Sequence, residues 1–254
     1  MKAPHRIVVI GGTGLIGSKT AELLRASGHE VVVAAPSTGV NTLTGEGLAQ
    51  ALTGATAVID VSNAPAWEAE AVMNFFTTST SNLLKAETTA GVTHHIALSI
   101  VGTDRMPDNS YFAAKVAQEM LIKNGDVPYT IVRATQFFEF LTSIADSTMV
   151  DGTVHLAGGS FQPIAADDVA SVLAEVSASN ANNDIIEIAG PDAEPFDGFM
   201  RRHFALSGDT RSVVRDADAL YYGGRVEARS LVPGKDARLG LISLEDWTQG
   251  RRIQ

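Results

Sequence analysis

The chain has 254 residues, of which 45% are hydrophobic and 19% charged, and its formal net charge is −10. This composition predicts a folded globular protein rather than a disordered one. The excess of carboxylates argues against nucleic acid as a partner, because phosphate binding depends on clustered Lys and Arg. The absence of cysteine excludes disulfides, thiolate metal sites and cysteine nucleophiles.

Apolar runs in the sequence are short. None approaches the roughly 20 residues that span a bilayer, and only four apolar residues in a row precede the first glycine pair, too few for the core of a signal peptide. We therefore expect a cytoplasmic protein with no membrane partner. The sequence leaves its oligomeric state open.

Strand patterns and helix patterns alternate along the first 134 residues. Short β-branched apolar runs predict strands at 6–12, 29–36, 56–63, 94–102 and 127–134. Helical spacing of apolar residues predicts helices at 15–27, shortly after Thr44, at 67–90 and at 110–124. This alternation predicts an α/β fold with a doubly wound parallel sheet and helices on both of its faces.

The rhythm weakens beyond about residue 150. A helix is predicted at 163–178 and a strand at 184–190 that can rejoin the sheet, whereas the segment from Phe196 has no clear repeat. We expect a nucleotide-binding core at 1–150 and a small C-terminal substrate lobe at 151–254. Because no low-complexity linker separates the two parts, the lobe is expected to pack on the core.

The first strand runs into the glycine-rich segment GGTGLIG, residues 11–17, and a helix follows at once. Missing side chains allow a tight turn and let a pyrophosphate approach the backbone, where the free N–H groups of the helix N-terminus face it. The alternative is a turn that only packs helix on strand. Its position after the first strand favours dinucleotide binding. The predicted contacts are Gly11, Thr13, Gly14, Leu15, Ile16 and Gly17.

The end of the second strand bears on the choice of dinucleotide. An NAD site usually carries an acid about 20 residues after the glycine turn, and there is none between Glu30 and Glu46. Its absence leans toward NADP, with Ser37 and Thr38 predicted to hold the 2′-phosphate. The usual arginine is also missing, so NADP is favoured only slightly over NAD.

Tyr111 and Lys115 lie four residues apart in the predicted helix at 110–124, which places them on one helix face. A nearby ammonium lowers the pKa of a phenol toward the range useful for acid–base catalysis. Ser99 ends the preceding strand, where doubly wound sheets bind their ligands, and its hydroxyl can orient a substrate oxygen. We therefore predict Ser99, Tyr111 and Lys115 as catalytic residues.

Together GGTGLIG, the SNA segment at 62–64, Ser99 and the Tyr111–Lys115 pair resemble the short-chain dehydrogenase/reductase superfamily. Within it, PYTIVRATQFF (128–138) and PIAADDVA (163–170) are similar to the atypical NmrA-like NAD(P)-binding branch. The resemblance covers about residues 6–190 and implies a Rossmann fold. It also implies further cofactor contacts, namely Val61, Ser62 and Asn63 at the adenosine half, Lys115 at the nicotinamide ribose, and the segment from Ala134 to Phe137 at the nicotinamide.

The sequence departs from this pattern in two places. The usual third strand is shortened to GVNTLTGEG (39–47), which affects adenine recognition. The substrate lobe is shorter than in the sugar-nucleotide epimerases of the extended branch, which argues against large nucleotide-sugar substrates.

Three functions are compatible with these residues. The first is an NAD(P)H-dependent oxidoreductase that transfers a hydride to or from a small carbonyl, alcohol or quinone-like substrate, with Tyr111 as acid and base. The second is an NmrA-like regulator that senses the dinucleotide and acts through a protein partner without turnover. The third is an NAD-dependent epimerase or dehydratase. The presence of all three predicted catalytic residues argues against the regulator. The epimerase or dehydratase uses the same residues but fits the short C-terminal lobe less well, so the first function is favoured.

His94 and His95 look like a pair of metal ligands. Neighbouring residues of a strand point to opposite faces, and no carboxylate pattern accompanies them. We predict no metal site, and one of the two imidazoles is expected to be exposed.

Overall fold

The structure is a computed structural model that describes residues 5–250. Its helices are α1 (Leu15–Ala26), α2 (Leu48–Leu52), α3 (Ala69–Ala90), α4 (Ser110–Lys123), α5 (Leu141–Ser147), α6 (Ala166–Ser177), α7 (Phe196–Ser207) and α8 (Leu244–Thr248). Its strands are β1 (Arg6–Ile10), β2 (Glu30–Ala34), β3 (Ala57–Asp60), β4 (His94–Ile100), β5 (Tyr129–Ala134), β6 (Met149–Val150), β7 (Thr153–Leu156), β8 (Ser160–Phe161), β9 (Asp184–Ala189), β10 (Glu194–Pro195), β11 (Ser212–Arg215), β12 (Leu220–Tyr221), β13 (Gly224–Arg225) and β14 (Arg238–Leu239).

A seven-stranded parallel sheet is the centre of the fold, with the strand order β14-β9-β5-β4-β3-β1-β2. In its register, Val8 of β1 pairs with Val32 of β2 on one side and with Val58 of β3 on the other. Buried β-branched residues such as Val8 and Val58 suit a sheet covered on both faces. The predicted Rossmann-type α/β fold is confirmed, and β9 lies in the sheet where the sequence predicted a returning strand.

The sheet ends at β2 because the segment after it does not form another strand. Residues 36–38 make a single 3-10 turn, Asn41 and Glu46 form an isolated antiparallel bridge, and α2 follows. The shortened third strand expected from GVNTLTGEG is therefore replaced by a turn and a five-residue helix.

The chain divides into two compact units, each assembled from separate segments. Among the described residues, the first unit contains 5–99, 114–132 and 169–186, and the second contains 100–113, 133–168 and 187–250. The core of the first unit includes Val8, Leu52 and Leu83. The expected boundary near residue 150 stays a prediction.

The second unit has an aromatic core. The Phe161 ring stacks on Phe196 at a centroid distance of 4.2 Å and meets the Phe199 ring edge-on at 5.6 Å. Phe196, Phe199, Met200 and Phe204 lie on the buried face of α7. Phe199 and Met200 follow Phe196 by three and four residues, and Phe204 follows Met200 by four, which is the spacing of an amphipathic helix. No helix was predicted at Phe196–Ser207, although this spacing of apolar residues is visible in the sequence.

Within residues 5–250, no helix is long and apolar enough to cross a membrane.

Replacing the Phe161 side chain tests the importance of this aromatic core. Because Phe161 is fully buried, Phe161→Ala is expected to lower the free energy of unfolding by about 3–5 kcal/mol. The matched control is Phe140→Ala, since Phe140 is 47% exposed, and its effect should stay within about 1 kcal/mol. Denaturant unfolding of the three proteins measures both values, and equal losses would contradict the assignment of the core.

Candidate functional site

The glycine turn joins the carboxyl end of β1 to α1 and brings three strand ends together. The Gly11 N–H donates to the Ala34 carbonyl at the end of β2 at 2.9 Å. A Cβ on Gly11 would lie 2.9 Å from the backbone of Ser62, beyond the end of β3, and Gly11 has a left-handed φ of +76°. At this position only glycine fits without displacing the backbone.

Gly17, in the first turn of α1, is the second position that requires glycine. A Cβ there would overlap the Gly11 carbonyl oxygen and come within 2.6 Å of the Gly12 Cα. The first turn of α1 therefore packs directly on the glycine loop. This close packing fixes the direction in which the helix N-terminus points.

The N-terminus of α1 is suited to an anion. Its N-cap residue is Gly14, which supplies no side-chain cap, and the first helical turn contains no acidic residue. Thr13, Gly14 and Leu15 are exposed, and the Gly14 N–H donates to the Gly11 carbonyl at 2.9 Å. An α-helix leaves the N–H groups of its first turn without partners inside the helix. These features fit the pyrophosphate of a dinucleotide, and a cofactor bound here would be held by backbone groups of residues 13–17.

Ser37 and Thr38 lie in the exposed 3-10 turn that follows β2. The Thr38 Oγ1 accepts the Ala35 N–H at 2.9 Å and donates to the backbone carbonyls of Ala35 and Val33. The Thr38 hydroxyl thus stabilises the turn. Ser37 is exposed in the same turn. A role in holding a 2′-phosphate stays a prediction for both residues.

Val61, Ser62 and Asn63 follow β3 at the same sheet edge as the glycine turn. The Ser62 N–H and hydroxyl both donate to Asp60 Oδ1, at 3.0 and 2.6 Å. Asp60 is the last residue of β3, and only 2% of its surface is exposed. Its carboxylate therefore fixes the loop whose backbone contacts Gly11.

Lys115 lies on α4 with its side chain buried in the first unit. Its ammonium donates to the Leu98 carbonyl at 2.9 Å and to Gln118 Oε1, and it lies 4.4 Å from the centroid of the Phe76 ring. Burial lowers the pKa of Lys115 to about 8, although Asp60 and Glu119 attract the ammonium.

Ser99, on β4, is also buried, and its hydroxyl donates to Glu119 Oε1 on α4 at 2.7 Å. Ser99 must change its acceptor before its proton can reach a substrate oxygen. The other carboxylate oxygen of Glu119 accepts a hydrogen bond from Lys123 at 3.4 Å. Contacts from β4 thus hold Lys115 and Glu119, one helical turn apart on α4.

Tyr111 lies at the start of α4, four residues before Lys115. In the second unit its ring packs against the aromatic core that includes Phe112 and Tyr221. Burial raises the pKa of the Tyr111 phenol above its ordinary value. This direction is opposite to the one that the sequence analysis predicted from the ammonium of Lys115, because desolvation dominates at this position.

Ala134 and Phe137 belong to the second unit. Ala134 is the buried last residue of β5, and Phe137 forms a parallel bridge with Ile164. The Phe137 ring stacks on Phe140 at 5.6 Å. Their contact with a nicotinamide stays a prediction.

His94 and His95 are both buried, so the expectation of one exposed imidazole is wrong. His95 Nδ1 lies 2.9 Å from Glu87 Oε1, and His94 Nε2 lies 3.0 Å from Thr130 Oγ1. Burial lowers the pKa of His94 to about 4; burial alone would also lower that of His95, but Glu87 outweighs it and raises this pKa. Each face of β4 is covered, and each imidazole finds a polar partner there. No group of metal-ligating side chains occurs among residues 5–250.

Sequence reasoning missed Asp60, Gln118 and Glu119. All three are polar yet nearly fully buried. Gln118 and Glu119 lie three and four residues after Lys115, and Asp60 ends the apolar run AVID, so helical spacing and strand position were available signals. A buried polar residue beside a predicted functional lysine indicates a hydrogen-bonded network.

The parallel sheet and the uncapped glycine turn at its carboxyl edge define a dinucleotide-binding protein of the Rossmann type. The sequence profile of the NAD(P)H-binding family matches residues 11–180, which is more than half of the chain. The protein therefore belongs to the NAD(P)H-binding family, and its cofactor is a nicotinamide dinucleotide. No match was found among curated proteins.

Several solved structures share this fold. The dTDP-4-dehydrorhamnose reductase of Bacillus anthracis str. Ames, in complex with NADP, has a TM-score of 0.73 at 12% identity, with 98% of each chain covered. A short-chain dehydrogenase/reductase superfamily protein from Agrobacterium tumefaciens with bound NAD has a TM-score of 0.71 at 16% identity, covering 97% of this chain and 95% of that one. The UDP-N-acetylglucosamine 4-epimerase of Bacillus cereus has a TM-score of 0.70 at 15% identity, covering 97% and 94%. At these identities the likeness is one of fold.

A methyl group added at Gly17 tests the glycine turn as the dinucleotide site. Gly17→Ala is expected to weaken NADPH and NADH binding at least tenfold, because the new Cβ displaces the turn from the helix N-terminus. The matched control is Gly198→Ala on α7, where a Cβ meets nothing closer than 3.8 Å. Fluorescence titration measures both affinities, and unchanged binding in Gly17→Ala would place the cofactor elsewhere.

Proposed function

We propose that the protein is an NAD(P)H-dependent reductase of the short-chain dehydrogenase/reductase type, acting on a small carbonyl or quinone-like substrate. The observation that carries this proposal is the placement of Tyr111 and Lys115 on one helix, four residues apart, in a chain that binds a nicotinamide dinucleotide. The bound dihydronicotinamide supplies the hydride for the carbonyl carbon.

Tyr111 is the proton donor in this proposal. Burial raises the pKa of its phenol, so the phenol is protonated at neutral pH and has a proton to donate, but the same shift makes it a weaker acid. The O–H bond of Tyr111 breaks as a new O–H bond forms on the substrate, and the phenolate then regains a proton from water. The proposed direction is reduction of the carbonyl.

Lys115 and Ser99 have supporting roles in the proposal. The ammonium of Lys115 is anchored by Leu98 and Gln118 and contributes positive charge to the site that holds the ribose. Ser99 orients the substrate oxygen once its hydroxyl leaves Glu119. NADP is slightly favoured over NAD, because no acid follows β2 before Glu46.

A dinucleotide-sensing regulator of the NmrA-like kind is the second candidate function. The bonds from Ser99 to Glu119 and from Lys115 to Leu98 favour it, since they commit both side chains to internal partners. In that case dinucleotide binding occurs without turnover, and a protein partner receives the signal. An NAD-dependent epimerase or dehydratase uses the same residues, and one solved structure of the same fold is an epimerase.

Removal of the Tyr111 hydroxyl tests the reductase proposal. Tyr111→Phe is expected to lower turnover at least about 100-fold, because the proton donor is lost, while the dissociation constant for NADPH changes by less than about threefold. The assay follows NADPH or NADH oxidation over a panel of quinones, aldehydes and ketones.

The matched control is Tyr129→Phe. Tyr129 begins β5 at the amino end of the strand, at the sheet edge opposite the glycine turn, and its substitution should leave turnover unchanged. Full activity in Tyr111→Phe would remove Tyr111 from the mechanism. Tight dinucleotide binding without turnover of any substrate by the wild type would favour the regulator.

A further inference from the structure

A continuous chain of buried hydrogen bonds connects the loop after β3 to Lys115. Ser62 donates to Asp60 Oδ1, Gln118 Nε2 donates to Asp60 Oδ2 at 3.1 Å, and the ammonium of Lys115 donates to Gln118 Oε1. Asp60, Gln118 and Lys115 are 2%, 1% and 3% exposed, so the chain is shielded from water.

Gln118 is chemically suited to the middle of this chain. Its amide can donate to a carboxylate with nitrogen and accept from an ammonium with oxygen at the same time. A hydrogen bond to the charged form of a lysine favours that form, and a buried ammonium without acceptors would lose its proton. The bond to Asp60 fixes the amide orientation, so that the oxygen faces Lys115.

The charged groups around Lys115 come from several elements. Asp60 on β3 and Glu119 on α4 attract its ammonium. His95 on β4 and Glu87 on α3 form a buried pair that also experiences Asp60. Phe76 on α3 covers one side of the ammonium with its ring. Gln118 is the neutral contact among these groups that both holds Lys115 and is itself held by a carboxylate.

We propose that Gln118 is a positioning residue that fixes the Lys115 ammonium through its bond to Asp60 and thereby keeps Lys115 charged for the cofactor. The use of this charge in catalysis rests on the proposed function. The protonation state of Lys115 can nevertheless be measured without turnover. Through Asp60 and Ser62, the same chain fastens Lys115 to the loop that contacts the glycine turn.

The test titrates Lys115 directly by NMR in apo protein carrying ¹³C at lysine Cε, with the resonance identified by its loss in Lys115→Arg. Gln118→Met keeps the side-chain length but removes both hydrogen bonds. The midpoint of the Lys115 titration is then expected to fall by about one pH unit, because the ammonium loses an acceptor. Gln118→Glu places a carboxylate beside the ammonium, and the midpoint is expected to rise.

The matched control is Ile122→Val, a fully buried apolar position on the same helix. It lowers stability without touching the network, so the Lys115 midpoint should stay at the wild-type value. If Gln118→Met fails to fold, Gln118→Ala removes the same two hydrogen bonds, and its Lys115 midpoint is expected to fall in the same direction. Midpoints that stay within about 0.2 pH unit of the wild type in the folded Gln118 variants would overturn the proposal.

The pH dependence of NADPH binding and of kcat/KM gives the second readout. In the wild type both are expected to decline as pH rises through the Lys115 midpoint, near 8, and Gln118→Met should move this decline to lower pH by the same shift that NMR measures. A midpoint shift with no turnover of any substrate would reject the reductase and retain the positioning role. Turnover with an unshifted midpoint would reject the positioning role and retain the reductase.

Discussion

The fold and the candidate site both depend on the close backbone contact between the glycine turn and the loop after β3. A Cβ at Gly11 would lie 2.9 Å from the Ser62 backbone, and a Cβ at Gly17 would collide with the turn itself. The absence of side chains at these two positions lets the ends of β1, β2 and β3 converge. The same contact fixes the position of the N-terminus of α1. Hydrogen bonds then connect Ser62 to Asp60, Asp60 to Gln118, and Gln118 to Lys115. The glycine turn and the buried lysine are thus connected by one hydrogen-bonded network within the first unit.

Electrostatics gives the two residues of the predicted catalytic pair different environments. Lys115 has acceptors and carboxylates around its ammonium, yet burial lowers its pKa to about 8. Tyr111 lies against an aromatic core, and burial raises the pKa of its phenol. Since burial disfavours the charged form of each group, the phenol is protonated at neutral pH but is a weaker acid than a solvated phenol, and its donation to a carbonyl requires a group that stabilises the phenolate.

The sequence predicts the parts of the fold that follow from short-range patterns. Apolar β-branched runs and flanking glycine or proline residues predict six of the seven strands of the central sheet and its main helices to within a few residues, whereas the edge strand β14 was not predicted. The shortened segment after β2 explains why the sheet ends there. The glycine spacing predicts the position of the tight turn between β1 and α1, because such a turn depends on residues that are neighbours in sequence. The aromatic helix α7 was missed although its spacing was visible, because the short irregular strands around it carry no repeat.

The site could be predicted only in part, because its network joins residues that are far apart in sequence. Gln118 and Asp60 are 58 residues apart, and Ser99 and Glu119 are 20 apart, so no local pattern pairs them. The direction of the Tyr111 pKa depends on burial by residues such as those of the aromatic core, which the spacing of Tyr111 and Lys115 does not reveal. The two histidines show the same dependence, since their partners Glu87 and Thr130 come from other elements.

The central claim is that hydride passes from the bound dinucleotide to a substrate carbonyl, and a deuterium label tests it most directly. NADPH and NADH carrying deuterium at the transferring C4 position would be incubated with the protein and the panel of carbonyl compounds, and the products examined by mass spectrometry. The expected product is an alcohol or hydroquinone, formed in an amount equal to that of the oxidised dinucleotide. Where the substrate is an aldehyde or ketone, the carbinol carbon of the product should carry one deuterium. Dinucleotide that stays reduced and fully labelled while bound, with every substrate unchanged, would contradict it.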